Sequence, residues 1–117
     1  MDIVHNPENN CAIITVSKRG TELGRRLRLL LPDSHLYVPE KFAGSLGMGE
    51  YTFSSPVKEV VAQAFHQYRS LVLIMTVGIA VRLVATELRD KHKDPGVIVV
   101  GDTGAFAVSL LSGHLGG

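Results

Sequence analysis

Leu71-Val-Leu-Ile-Met-Thr76-Val-Gly78-Ile-Ala-Val-Arg82-Leu-Val-Ala85 is the stretch on which the fold reading turns. Leu71 to Thr76 is an almost wholly apolar run, the pattern of a strand covered on both sides. At Val77-Gly78 the period changes to that of a helix, expected to continue to about Asp90 with Ala80, Leu83, Val84 and Leu88 buried. A strand running straight into a helix sets the unpaired N–H groups of the first helical turn at the carboxyl end of that strand, where an anion is favoured. Arg82 lies about one turn into the helix. An arginine there either meets an anionic ligand or serves as a surface or ion-paired residue, and the residues alone leave both readings open. Gly78 is weak by itself, because tight packing also selects glycine at such junctions.

Downstream, Asp94-Pro95-Gly96 is a turn signal and Val97-Ile-Val-Val100 a fourth strand. Gly101-Asp102-Thr103-Gly104 fits a turn. In Ala105 to Leu111, Phe106, Val108 and Leu110 alternate with smaller residues, so a β-hairpin is preferred, although Phe106, Ser109, Leu110 and Gly113 also fit a helical spacing. Ser112-Gly113-His114-Leu115-Gly116-Gly117 closes the chain as a second glycine-rich segment.

Upstream, the β-branched run Cys11 to Ser17 reads as the first strand. A helix from about Thr21 to Leu31 follows, with Leu23, Leu27, Leu30 and Leu31 as its apolar stripe and its arginines facing water. His35 to Val38 is the second strand, stopped by Pro39. Residues 39–55 have weak periodicity and read as a loop with a brief extended piece at Tyr51-Thr-Phe53. Ser55-Pro56 is a helix start, and Val57, Val60, Val61, Ala64, Phe65 and Tyr68 form the apolar face of a helix expected to reach about Arg69. His66 falls off that face.

The elements sum to one domain spanning residues 1–117: a three-layer α/β/α arrangement with a mostly parallel sheet and an antiparallel hairpin at its carboxyl-terminal end. At 117 residues and 45% hydrophobic content the chain can bury a core, and no apolar run reaches membrane-spanning length. The start, Met1-Asp-Ile-Val-His-Asn-Pro7, lacks the pattern of a secretory signal, so a cytoplasmic location is the expectation. A net charge of +1 does not point to nucleic acid. Cys11 is read as a small buried hydrophobe. Ending on Gly-Gly with no cap or tail, the chain is read as part of something longer. No Walker loop, G-x-G-x-x-G segment after the first strand, nucleophile elbow or paired cysteines is found.

Ligands of such sheets gather at the carboxyl ends of the strands. Gly78 and the segment from Ser112 to Gly117 are expected to share that end, on condition that the hairpin returns the last strand suitably. Lys91-His92-Lys93-Asp94 is read either as a charged helix end, which cations favour, or as a carboxylate-binding patch with His92 as a proton carrier. His114, in a glycine-rich loop, is the stronger candidate for contact with a ligand.

Taken together, Gly78-Ile-Ala-Val-Arg82-Leu-Val-Ala85, Asp90-Lys-His-Lys-Asp-Pro-Gly-Val-Ile-Val-Val100 and Gly104-Ala-Phe-Ala-Val-Ser-Leu-Leu-Ser-Gly-His-Leu-Gly-Gly117 resemble the amino-terminal region of the cobalamin biosynthesis protein CbiG family. The resemblance implies a cobalt-precorrin-5A hydrolase, which opens a δ-lactone with water and releases acetaldehyde to give cobalt-precorrin-5B. The substrate is a flat macrocycle that carries its own cobalt and a fringe of carboxylates, so the protein is expected to need no cofactor and no metal of its own. The matching positions are Gly78, Arg82, Lys91, His92, Asp94, Asp102, Gly104, Ser112, Gly113, His114, Gly116 and Gly117. From chemistry, His114 and then His92 are the candidate acid and base. Gly78, Arg82, Lys91, Ser112, Gly113, Gly116 and Gly117 are the candidate substrate-binding residues. The corrinoid is the expected partner, without nucleic acid or membrane, together with a second copy of the chain or a carboxyl-terminal domain. A competing reading is a domain that binds the corrinoid or a partner without catalysis. A nucleotide-binding module is disfavoured by the missing phosphate signatures.

Overall fold

The computed structural model describes residues 10–90 and 93–112. In chain order the elements are β1 (Cys11–Thr15), α1 (Lys18–Leu30), β2 (Ser34–Pro39), a 3-10 turn (Glu40–Phe42), β3 (Glu50–Phe53), α2 (Val57–Phe65), β4 (Ser70–Ile74), α3 (Val77–Ala85), β5 (Gly96–Val100) and β6 (Ala107–Ser112). They form one six-stranded sheet in the order β3-β2-β1-β4-β5-β6. All neighbours are parallel except β5 and β6. This is the doubly wound order, in which the chain leaves β1 toward one edge and returns to continue from β4 toward the other. The antiparallel hairpin is present, so the helical alternative for Ala105 to Leu111 does not apply.

Alternation along the strands sorts the core into two layers. Ile13, Leu36, Val38, Val72 and Ile74 face α1, with Leu23 and Leu27 packed on them. Ala12, Ile14, Leu71, Leu73, Val97 and Val99 face α2 and α3 and meet Val61, Ala64, Phe65, Ala80 and Val84. Because β4 contributes to both layers, it reads as an unbroken apolar run.

Three expectations are corrected at α1. The helix begins at Lys18, because the Ser17 hydroxyl caps it by accepting from Gly20 N at 2.9 Å. Leu30 is 75% exposed and Leu31 is also exposed; the surface against the sheet is made instead by Gly20, Thr21 and Gly24, whose small size brings the helix axis close. The arginines do not all face water. Arg25 pairs with Glu50 at 3.2 Å and also donates to the Ala43 carbonyl. Arg28 lies over Gly49, where a side chain would collide with its guanidinium. These two cations fasten the 40–49 connection, whose Ala43 is buried in the α1 layer. They explain how β2 and β3 run parallel without an intervening α-helix.

The other helices are shorter than their periodicity suggests. α2 ends at Phe65 and is preceded by Pro56 without a side-chain cap, so Ser55 does not act as predicted. α3 ends at Ala85, leaving Leu88 48% exposed. His66 is exposed and pairs with Glu87 at 2.9 Å, linking the end of α2 to the turn after α3.

Beside α2, Tyr68 is buried and its hydroxyl meets Tyr37 Oη at 2.6 Å and His35 Nδ1 at 2.9 Å. Burial first, and then the Tyr37 contact, holds that phenol protonated. Cys11 is half-buried, and desolvation raises its thiol above the usual range against a smaller opposing hydrogen bond from Ser70. We therefore expect iodoacetamide at mildly alkaline pH to label the folded protein more slowly than the urea-unfolded chain, since only thiolate reacts. Equal rates, read by mass spectrometry, would remove the claim of a shielded thiol.

Candidate functional site

The switch point of the sheet lies between β1 and β4, whose carboxyl ends lead into α1 on one face and α3 on the other. A cleft of about 310 Å³ opens there. Its walls are Val16, Met75, Ile79 and Phe106; its polar groups are Ser17, Thr76, Asp102 and Thr103. An apolar cavity with a few convergent polar groups is the usual form of a small-molecule site.

Local chemistry sets each of these groups. Thr76 caps α3 by accepting from Ile79 N at 3.3 Å, rather than continuing β4. Ser17, the cap of α1, also donates to Asp102 Oδ2 at 3.2 Å. Asp102 is held in the turn between β5 and β6. There Gly104 takes φ +78 and its N–H donates to Gly101 O at 2.8 Å, while Gly101 N donates to Phe106 O at 3.1 Å. Gly101 has no room for a side chain, because a Cβ would sit 2.6 Å from the Phe106 ring. The turn thus places an aromatic wall and a carboxylate side by side.

A second cleft of about 440 Å³ adjoins the first through Val16 and runs over the carboxyl ends of β2 and β3, between Pro39, Lys41, Phe53 and Ser55. Lys18 and Arg19, both exposed, lie in the first turn of α1 at the same edge. Lys41 holds its ammonium 5.1 Å from the centre of the Phe42 ring. The carboxyl edge is therefore an apolar trough bordered by charges of both signs, Lys41 beside Glu40 in one cleft and Asp102 in the other, with Lys18 and Arg19 on the nearby first turn of α1.

The sequence-predicted residues divide between the two ends of the sheet. Gly78 is exposed in the first turn of α3, and a Cβ there would meet nothing within 4 Å, so packing does not demand the glycine. Arg82 is exposed further along α3. Ser112 pairs with Gly96 at the start of β5, the opposite end from Gly78. The expected convergence of Gly78 and Ser112 on one cleft is thus corrected: five residues of β5 separate the two ends by roughly 13 Å. The antiparallel turn of β6 that makes the hairpin also carries Ser112 away. Lys91, His92, Gly113, His114, Gly116 and Gly117 lie outside the described residues.

The amino edge has its own depression of about 350 Å³, with Arg69, Arg89, Lys93 and His66 around it. Asp94, also on that list of matching positions, is buried, and its two carboxylate oxygens accept from Arg89 N at 3.3 and 3.0 Å. Its contacts are those of a loop clasp. Among the described residues no group of three or more His, Cys, Asp or Glu side chains is arranged to hold a metal ion, and no helix is long and apolar enough to cross a membrane.

Sequence reasoning did not single out Ser17, Thr76 or Phe106, and it assigned Asp102 to the turn. A signal existed in the hydroxyl residues immediately before Lys18 and Val77, both at strand-to-helix junctions. Nothing in the sequence showed that Asp102 would meet Ser17 across 85 positions.

A doubly wound sheet with an open cleft at its switch point defines the class: a doubly wound α/β domain. The chain belongs to the cobalamin synthesis G family, whose amino-terminal family model matches residues 59–117. It is 34% identical over 108 residues to a cobalt-precorrin-5A hydrolase of Priestia megaterium, and 36% identical over 106 residues to one of Salmonella typhimurium. Each match covers 91% of this chain and 29% of the relative, so the chain spans under a third of those proteins. A solved cobalamin biosynthesis protein G homologue from Sulfolobus solfataricus superposes on 93% of the chain and 32% of its own, with a TM-score of 0.65 at 22% identity, and shares the fold.

Proposed function

We propose that this chain is the amino-terminal domain of a cobalt-precorrin-5A hydrolase, acting in the cytoplasm on a cobalt-bearing corrinoid. The observation that carries the reading is its identity of about a third to two curated hydrolases along nearly its whole length. The reaction adds water across the δ-lactone and releases a two-carbon unit as acetaldehyde. A carboxylate-fringed ring suits a trough with apolar walls that has Lys41 at its side and Lys18 and Arg19 in the first turn of α1 to meet the carboxylates. Gly78 leaves space for close approach, and Arg82 offers a further cation on α3. His114, with His92 second, is the proposed proton carrier, and Lys91, Gly113, Gly116 and Gly117 the proposed further contacts.

The test is turnover of cobalt-precorrin-5A by the protein carried to the length of its relatives, with acetaldehyde trapped and the corrinoid product weighed by mass spectrometry. Loss of one acetaldehyde unit with gain of water is expected; unchanged substrate would defeat the proposal. Unchanged turnover after His114→Ala would remove that histidine alone. The chain's share of its relatives, 29%, favours a second reading in which this domain binds the corrinoid and the remainder completes catalysis. Binding by residues 1–117 without turnover, with activity returning when the remainder is added, distinguishes it.

A further inference from the structure

We infer that Asp102 is the general base that activates water for opening of the lactone, with Ser17 as its positioning residue; the inference rests on the hydrolase reading above. Among the described residues lining the switch-point cleft, Asp102 is the only ionisable one. It stands between the first turns of α1 and α3, beside the apolar walls Ile79, Met75 and Phe106. A carboxylate in this place repels a ligand fringed with carboxylates, so it does not serve affinity. It suits a proton acceptor placed where bulk water is displaced by an apolar ring face.

The geometry leaves it free for that work. Asp102 Oδ2 accepts from Ser17 Oγ at 3.2 Å, and Ser17 Oγ is itself fixed by Gly20 N at 2.9 Å. Gly20 is required for this arrangement, because a Cβ there would lie 2.9 Å from Ser17 Oγ. One carboxylate oxygen is thereby anchored to the cap of α1, and Oδ1 is the oxygen that takes the proton.

The step balances without a co-reactant. A water O–H bond breaks, its proton goes to Asp102 Oδ1, and the water oxygen bonds to the lactone carbonyl carbon. Collapse of the tetrahedral intermediate breaks the acyl C–O bond, and the departing alkoxide takes the proton back from Asp102. Lactone and water become a hydroxy acid, and the carboxylate is restored. The proton transfers on either side of the later carbon–carbon cleavage are left to the proposed histidines.

Asp102→Asn keeps the shape and the Ser17 hydrogen bond while removing the basic oxygen. In the protein at its relatives' length we expect kcat for cobalt-precorrin-5A to fall at least 100-fold. The Kd for the corrinoid, read from its own visible absorbance, should be unchanged or tighter. Asp102→Gly should be equally slow and partly rescued by added formate, and Ser17→Ala should lower kcat less than tenfold without weakening binding. A kcat within threefold of the parent in Asp102→Asn overturns the inference, as does a loss confined to Kd. A parent protein that leaves the lactone untouched overturns the hydrolase reading and this one with it; an active parent with an equally active variant overturns this one alone.

Discussion

Leu73→Ala is expected to lower the free energy of unfolding by about 3 kcal/mol, within the usual range for a fully buried leucine. Leu73 has no solvent exposure and sits on the central strand β4, in the layer that meets α2 and α3. The loss has two parts: the transfer of the deleted methyl and methylene groups, and a cavity that cannot collapse because β1 and β5 hold the strand on both sides. For a domain of this size the same change lowers Tm by roughly 15 °C. Leu29→Ala is the control, since Leu29 is 80% exposed and its truncation should change stability by less than about 0.5 kcal/mol. Urea titration decides the matter. A Leu73→Ala midpoint no lower than that of Leu29→Ala would mean that β4 is not the centre of the core.

Gly24→Val is the second large effect, and two tendencies oppose each other there. In an isolated helix the change from glycine would help by a few tenths of a kcal/mol. In α1 a Cβ at this position would stand 2.8 Å from Leu36 Cδ1 and 3.0 Å from Thr15 Cγ2, atoms of the close-packed α1 layer. The clash dominates, because Leu36 and Thr15 are fully buried and have little space to turn aside into, and such overpacking costs about 3 kcal/mol. The shift would also reach the site, since α1 carries Ser17 at its cap and Gly20 one turn earlier. Gly78→Ala makes the opposite case. Its Cβ meets nothing, so stability should rise by about 0.5 kcal/mol, and any loss of corrinoid affinity would then report contact with the ligand rather than damage to the fold. A Gly24→Val protein as stable as the parent would show that the helix stands farther from the sheet than described.

The candidate site was legible only in part. Gly78 was found because the change of period from strand to helix is local, and a local change is visible in sequence. Asp102 was visible as a turn residue and as a position matching the family, but not as a partner of Ser17, because that hydrogen bond joins residues 85 positions apart. Arg25 and Arg28 were misread as solvated because periodicity shows which helix face is polar, not what packs on that face. Here a connection bearing Ala43 and Gly49 covers it. Leu88 was misread for a related reason: its spacing continues the buried stripe of α3, but the helix stops at Ala85.

Apart from β3, which reads only as a brief extended piece within a loop, the order of strands and helices, the mostly parallel sheet and the closing hairpin were determined by the sequence itself, because alternation, apolar runs and glycine or proline breaks act over a few residues. Which strands lie side by side was decided only in the folded chain, by pairing between segments far apart. That pairing places β1 next to β4, opens the cleft between α1 and α3, and sends Ser112 to the far end of the sheet. Short-range stereochemistry chooses the elements; the burial of both faces of β4 chooses their neighbours, and the cleft follows from the neighbours.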